Sequence, residues 1–273
     1  MILKFKRSSR YAIKYTENQI YIKPHELLKP YISHYTVSFP DNSVVSDRLT
    51  LVPDASGCLV FKFDENAVDS LLWGATTKNV VVKNDVNDCP MRLFIEFLPS
   101  GLFYFTGVRQ ADLTDLRLSL WQVNNELHSL VVEAFERSKD LDHFIEMLNS
   151  ILLPFIMEKK SLHTIPCAIE QLKQSHGMMS VKELSDLVHY SDRHLNRLFN
   201  DYIGMNIKTF SRLIRINTSI KQIKNRKKIL YLSQNIGFYD QSHFIHDFKS
   251  ICGVTPKSYF SNMSDFYNET LKF

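Results

Sequence analysis

The chain has 273 residues, of which 44 % are hydrophobic and 23 % charged, with eight glycines and nine prolines. Those proportions exclude collagenous, low-complexity and disordered classes and leave a soluble globular protein of one large or two ordinary domains. The net charge is unevenly spread: residues 161–273 hold 15 Lys and Arg against 9 Asp and Glu, whereas the first 160 hold 18 against 20. A basic half joined to a mildly acidic one points to a polyanionic partner for the basic half.

The first hundred residues predict strands. "QIYIKPHELL", "YISHYTVSFP", "RLTLVPD", "GCLVFKFDE", "SLLWGATTKNVVVKND" and "MRLFIEFLP" are short, rich in β-branched and aromatic residues, and separated by Pro, Asp, Asn and Gly. Strands at this spacing predict a sandwich or barrel over residues 1–113. The period then changes to helical. Leu127, Leu130, Val131 and Phe135 mark one helix, and Phe144, Ile145, Leu148 and Leu152 a second, with a break around Ser138–Leu141. These helices fill 114–158, a segment suited to dimerisation, and "KKSLHTIP" supplies a linker over 159–165.

From 166 to 262 everything reads as short helices, with a tail at 263–273. Ile165–Lys173 predicts a helix that ends before Gly177. Ser180 and Glu183 form a capping box, opening a helix with Val181, Leu184, Leu187 and Val188 turned inward. Ser191 caps the next helix, Asp192–Tyr202, whose buried face is Leu195, Leu198, Phe199 and Tyr202, and Gly204 stops it. Two short helices joined by a tight turn make a helix-turn-helix. A longer amphipathic helix follows from Ile207 to about Lys224.

The pattern then repeats. "LSDLVHY" (184–190) aligns with "LSQNIGF" (232–238) at an offset of 48, and "SDRHLNRLFNDYIGM" (191–205) with "DQSHFIHDFKSICGV" (240–254) at 49. Ser191 falls on Asp240, His194 on His243, Phe199 on Phe248, Gly204 on Gly253 and Phe210 on Tyr259. Caps match caps, core matches core, and stops match stops.

Two such units joined by one long helix resemble the DNA-binding domain of the AraC family of transcription regulators. The resemblance covers roughly 166–260 and is most specific in "IGFYDQSHFIHDFKSICGVTPKSYF". His189 departs from the usual glycine of the first turn, although histidine tolerates left-handed geometry better than most residues. With lower specificity, "LVPDASGCLVFKF", "WGATTK" and "FIEFLPSGLFYFTGVRQADLTD" are similar to the β-rich half of one AraC-type subgroup. The resemblance implies a cupin-like domain that binds a small-molecule effector or pairs two subunits. It also implies promoter DNA, RNA polymerase and a second copy as partners, in a bacterial cytoplasm.

Recognition helices carry polar and basic side chains opposite the apolar stripe to reach base edges. In the first unit these are Arg193, Asn196 and Arg197; in the second, Gln241, Ser242, Ile245 and His246. Lys208, Arg212, Arg215 and Lys249 are expected to hold phosphates, and the helix opened by Thr255 and Pro256 offers free amides to another. "KQIKNRKK" (221–228) is the densest basic run and reads equally as a solvated helix end.

Enzyme readings are weak. His243 and His246 form HxxH, without the glutamate or spacing of a metalloprotease motif. His25, His34 and Asp54 include no HxH pair, so no metal or cofactor is expected, and no catalytic residue. Cys58, Cys89, Cys167 and Cys252 form no CxxC pair, as expected of a reduced protein. "MILKFKRSSR" has no apolar stretch after it, and "SILLPFIMEKK" is too short for a bilayer, so neither a secretory signal nor a membrane span is expected. Two rivals remain: a cupin-like enzyme with an accessory helical module, and a regulator whose first half only mediates assembly.

Overall fold

The computed structural model describes residues 5, 7–39, 48–65, 67–83, 89–157, 164–224, 237–262 and 266–267. A sheet-rich region and a helical region follow each other along the chain, as the strand-like and helical patterns predict. β1 (Ala12–Tyr15), β2 (Gln19–Ile22), β3 (Ile32–Ser38), β5 (Cys58–Phe63), β6 (Val68–Trp73), β8 (Met91–Phe97) and β9 (Arg117–Ser119) form an antiparallel sheet. Its order is β1-β2-β3-β8-β5-β6-β9. β4 (Arg48–Leu51), β7 (Val80–Lys83) and β10 (Phe266–Tyr267) form a second sheet, with β4 antiparallel to β7 and parallel to β10. The segment "SLLWGATTKNVVVKND" therefore splits between sheets. Gly74 allows the split, since a Cβ there would lie 1.8 Å from the Leu113 carbonyl oxygen.

Alternation along the strands sends Leu59, Phe61 and Phe63 of β5, and Leu93, Ile95 and Phe97 of β8, to one face. That face is covered by α1 (Gly101–Thr106), α2 (Leu120–Val123), α3 (Asn125–Arg137) and α4 (Leu141–Met157). Phe135 of α3 stacks on Phe63 at 3.9 Å between centroids, and Phe144 of α4 meets the same ring edge-on at 5.9 Å. The apolar stripes of α3 and α4 are thus spent on their own sheet. Asn149 pins α4 further: it accepts from the hydroxyl of the fully buried Tyr35 at 2.9 Å.

The helical domain comprises α5 (Thr164–Gln174), α6 (Val181–Leu187), α7 (Asp192–Ile203), α8 (Ile207–Lys224), α9 (Gln241–Cys252) and α10 (Pro256–Ser261) among the described residues. Most of "LSQNIGF" and the end of "KQIKNRKK" lie outside them. The core runs from Ile165 through Leu184, Leu195, Phe199, Phe210 and Ile216 to Phe244, Phe248 and Tyr259. One inward expectation fails: Leu187 is 49 % exposed, and Ser185 is buried instead. At about 100° per residue, Leu184, Ser185 and Val188 cluster around the core direction, and Leu187 falls to the side. Tyr202 is half-buried: it packs against its own core, as expected, and also meets Phe103 of the other domain.

Candidate nucleic-acid interface

A capping box opens α6, and the same cap and stop recur at α7 and α9. Ser180 Oγ accepts from the Glu183 amide at 3.2 Å, while the Glu183 carboxylate accepts from the Ser180 amide at 2.8 Å. The turn after α6 passes through His189 at φ 58°, the left-handed conformation expected where a glycine is common. Ser191 Oγ then accepts from the His194 amide at 3.3 Å, and Asp240 Oδ1 from the His243 amide at 2.7 Å. The His194 ring stacks on Tyr190 at 4.7 Å, and the His243 ring meets Phe238 at 5.7 Å. Both histidines are therefore part of the joint between turn and helix. Gly204 and Gly253 close α7 and α9 at φ 89° and 77°.

With Leu195, Leu198, Phe199 and Ile203 buried, α7 exposes Arg193 and Arg197 and leaves Asn196 half-buried. Asn196 has work within the fold: its Oδ1 accepts from the Ile207 amide at 3.2 Å and its Nδ2 donates to the Asp192 carbonyl at 3.0 Å. It fixes the start of α8 against α7. On α9, Gln241, Ser242, His246 and Lys249 are exposed, and Ile245 is half-buried against the core.

The basic residues of α8 divide. Lys208 is exposed. Arg212 instead reaches across to α9, where Nε and Nη2 bind the two oxygens of the buried Asp247 at 3.2 and 3.0 Å. His243 and His246 stand 4.0 and 3.9 Å from the same carboxylate. Arg215 donates to the Gly177 carbonyl at 2.8 Å and lies over the Phe238 ring at 5.6 Å. Desolvation by burial pulls its pKa down. Arg212 and Arg215 thus bind α8 to its neighbours, a use that the outward-facing spacing of one helix does not reveal. Thr255 Oγ1 is also engaged, accepting from the Ser258 amide at 3.3 Å, and Pro256 opens α10 behind it.

A helix-turn-helix domain family matches residues 184–262, and a domain of unknown function (DUF6597) matches 21–119. The helix-turn-helix domain at 184–262 is of the AraC type. Over 111 residues the chain is 25 % identical to an uncharacterized HTH-type transcriptional regulator of Haemophilus influenzae. That match covers 40 % of this chain and 37 % of the relative. Multiple antibiotic resistance protein MarA of Escherichia coli is 28 % identical over 100 residues, 36 % of this chain and 77 % of MarA. ToxT of Vibrio cholerae O395 is 16 % identical in an alignment that covers 89 % of this chain and 96 % of ToxT, with a TM-score of 0.39.

The first domain packs on both units of the AraC-type domain. Thr114 Oγ1 donates to the Gly204 carbonyl at 2.7 Å, Arg109 pairs with Asp201 at 3.0 Å, and Phe103 packs on Tyr202 at 4.3 Å. At the second unit the Asn79 amide donates to the Ile251 carbonyl at 3.0 Å, with its side chain over Gly253. Between them Asn217 of α8 donates to the Pro53 carbonyl at 3.0 Å, and Val52, Ala55 and Ala75 join the helical core. Arg109 and Ala111 also wall a groove of about 650 Å³ along Arg193, Asn196 and Arg197. Among the described residues no His, Cys, Asp and Glu group could hold a metal ion, and no helix is long and apolar enough to cross a membrane. His25 accepts from the Leu27 amide, and Asp54 from the Ser56 amide, so each serves its own turn.

Proposed function

We propose that the protein regulates transcription by reading two successive major-groove segments of promoter DNA with α7 and α9. The observation that carries this is the pair of matched units, each with its cap, core and stop, presenting polar and basic side chains away from one shared core. Arg193 and Arg197 suit guanine N7 and O6, and Gln241 suits adenine. Ser242 and His246 add donors and acceptors beside them, and Ile245 suits a thymine methyl. Lys208 and Lys249 hold phosphates, with the α10 amides near Thr255 as a further contact. Asn196 contributes by placing α8 and by offering its outer edge.

Arg212 and Arg215 support this reading as braces. The duplex is the principal partner, with RNA polymerase as the second and the cytoplasm as the place of action. Two units about one DNA turn apart read roughly 15–20 base pairs per monomer. The protein acts by binding and has no catalytic step. Selection from random duplexes tests this: a recovered motif with two blocks about one turn apart is expected, bound more weakly as salt rises. Recovery of unrelated sequences would refute sequence-specific reading.

A further inference from the structure

The groove of about 650 Å³ beside α7 has walls from both domains. One is the outer face of the first reading helix, with Arg193, Asn196, Arg197, Asn200 and Asp201 in its lining. Steps of three and four residues keep these side chains on one face for about two turns. The other wall is Arg109 and Ala111 of the first domain, at the short turn Gln110–Asp112. Thr114 Oγ1 lies 2.9 Å from the Gln110 carbonyl oxygen and 2.7 Å from that of Gly204, so one hydroxyl joins this turn to the stop of α7. Gln110 itself is buried, and its Nε2 donates to the Val108 carbonyl at 2.9 Å. The wall is therefore built into the docking of the two domains.

Charge decides what the groove accepts. Three arginines, Arg109, Arg193 and Arg197, stand against one carboxylate, that of Asp201, which leaves two positive charges in excess among the lining residues. Arg109 is not used up by its pairing with Asp201. The bond, at 3.0 Å, engages Nε, one of several N–H donors of the guanidinium fork. The Arg109 side chain is 62 % exposed, and exposed pairs hold weakly, so a phosphate can compete with the carboxylate. Geometry supplies the phosphate. A helix with its side chains is about 10–12 Å across and the major groove about 12 Å wide, so sugar–phosphate strands run along both sides of a reading helix. The Arg109 wall stands beside α7 at one of those sides.

We propose that the first domain is part of the DNA interface: Arg109 binds a phosphate of the strand that flanks α7, exchanging the Asp201 carboxylate for it. The groove between the 109–111 segment and α7 receives that strand. Arg193 and Arg197 read bases while Arg109 clamps the backbone beside them, a contact that fixes register without reading sequence. The clamp comes from the turn that Thr114 ties to Gly204, so a duplex held there bridges the two domains. The inference rests on α7 as a reading helix and adds a contact from outside the helix-turn-helix domain.

The test uses the full chain and a duplex recovered by selection, titrated by fluorescence anisotropy over a range of salt. Arg109→Ala is expected to weaken binding roughly threefold or more and to lower the slope of log affinity against log salt by about 1. Arg109→Lys keeps the charge and should keep the slope. Asp201→Asn removes the competing carboxylate and should bind at least as tightly as the wild type. Arg137→Ala, which removes an exposed arginine paired with Glu133 on α3, should change neither affinity nor slope. An unchanged slope in Arg109→Ala, or the same loss in Arg137→Ala, overturns the proposal. Weaker binding by Asp201→Asn overturns it too, since the pair would then be a brace between domains. Tighter binding by Arg109→Ala would mean that the wall collides with DNA, and refutes the clamp as well. Arg197→Ala separates the two readings: if it weakens binding and Arg109→Ala does not, the clamp alone fails. If the chain binds no duplex, the DNA-binding reading fails with it.

Discussion

Arg212→Ala separates a brace from a phosphate contact. The guanidinium makes two charge-assisted bonds, at 3.2 and 3.0 Å, to an Asp247 side chain that is 7 % exposed. Removing one partner of a buried ion pair costs about 3–5 kcal/mol. Arg212 is itself 30 % exposed, so water replaces part of what is lost. The expected loss is about 2–3 kcal/mol. In a chain of this length that lowers Tm by roughly 5–10 °C, read by scanning calorimetry. Lys208→Ala is the counterpart: Tm stays at the wild-type value, and the slope of log affinity against log salt falls by about 1. If Arg212→Ala keeps the wild-type Tm but loses one unit of that slope, Arg212 holds a phosphate and the pairing argument is wrong.

Arg197→Ala and His246→Ala should each weaken binding to a selected duplex by about 1–3 kcal/mol in a fluorescence-anisotropy titration, with unchanged Tm. Wild-type affinity in both would mean that another face reads DNA. Phe248→Ala removes a fully buried ring that packs on Phe244 and Tyr259, and should cost about 3–5 kcal/mol in thermal unfolding. Gly204→Ala places a Cβ 2.8 Å from the Gln110 carbonyl oxygen at φ 89°. It should speed hydrogen exchange at Gln110–Asp115 as well as at the end of α7; faster exchange confined to α7 would show that the domains do not bear on each other there.

What the sequence made legible is what is local. A cap announces itself by one side chain three residues before its amide, and a stop by one glycine, so Ser180, Ser191, Asp240, Gly204 and Gly253 could be placed from spacing alone. The repeat multiplied that signal, because it required the same devices twice. Side chains whose partners come from other elements were not legible. Arg212 and Asp247 are far apart in the chain, and each alone looks like a solvated charge. Asn196 fits a base-reading position yet is tied to the start of α8, and Leu187 follows the apolar rhythm but lies beyond the edge of a two-turn stripe. Short strands such as β1 and β9 carry too few residues to show alternation.

The docking surface shows why the first half was harder to read than the second. Its segments, "LVPDASG", "WGATTK" and "GVRQADLTD", also carry the N-terminal resemblance, yet they are loops of small and polar residues without periodicity. Their constraint becomes visible only against the other domain. Pro53 supplies a carbonyl to Asn217, Ala55 and Ala75 are small enough to enter the helical core, and Thr114 and Asn79 sit on the two stop glycines. Those glycines are repeat equivalents, so the sheet domain touches corresponding points of both helix-turn-helix units. The relative placement of α7 and α9 is then set by α8 together with the sheet domain. A change in the loops at 74–79 or 109–116 would bear on the contacts that join both helix-turn-helix units to the sheet domain.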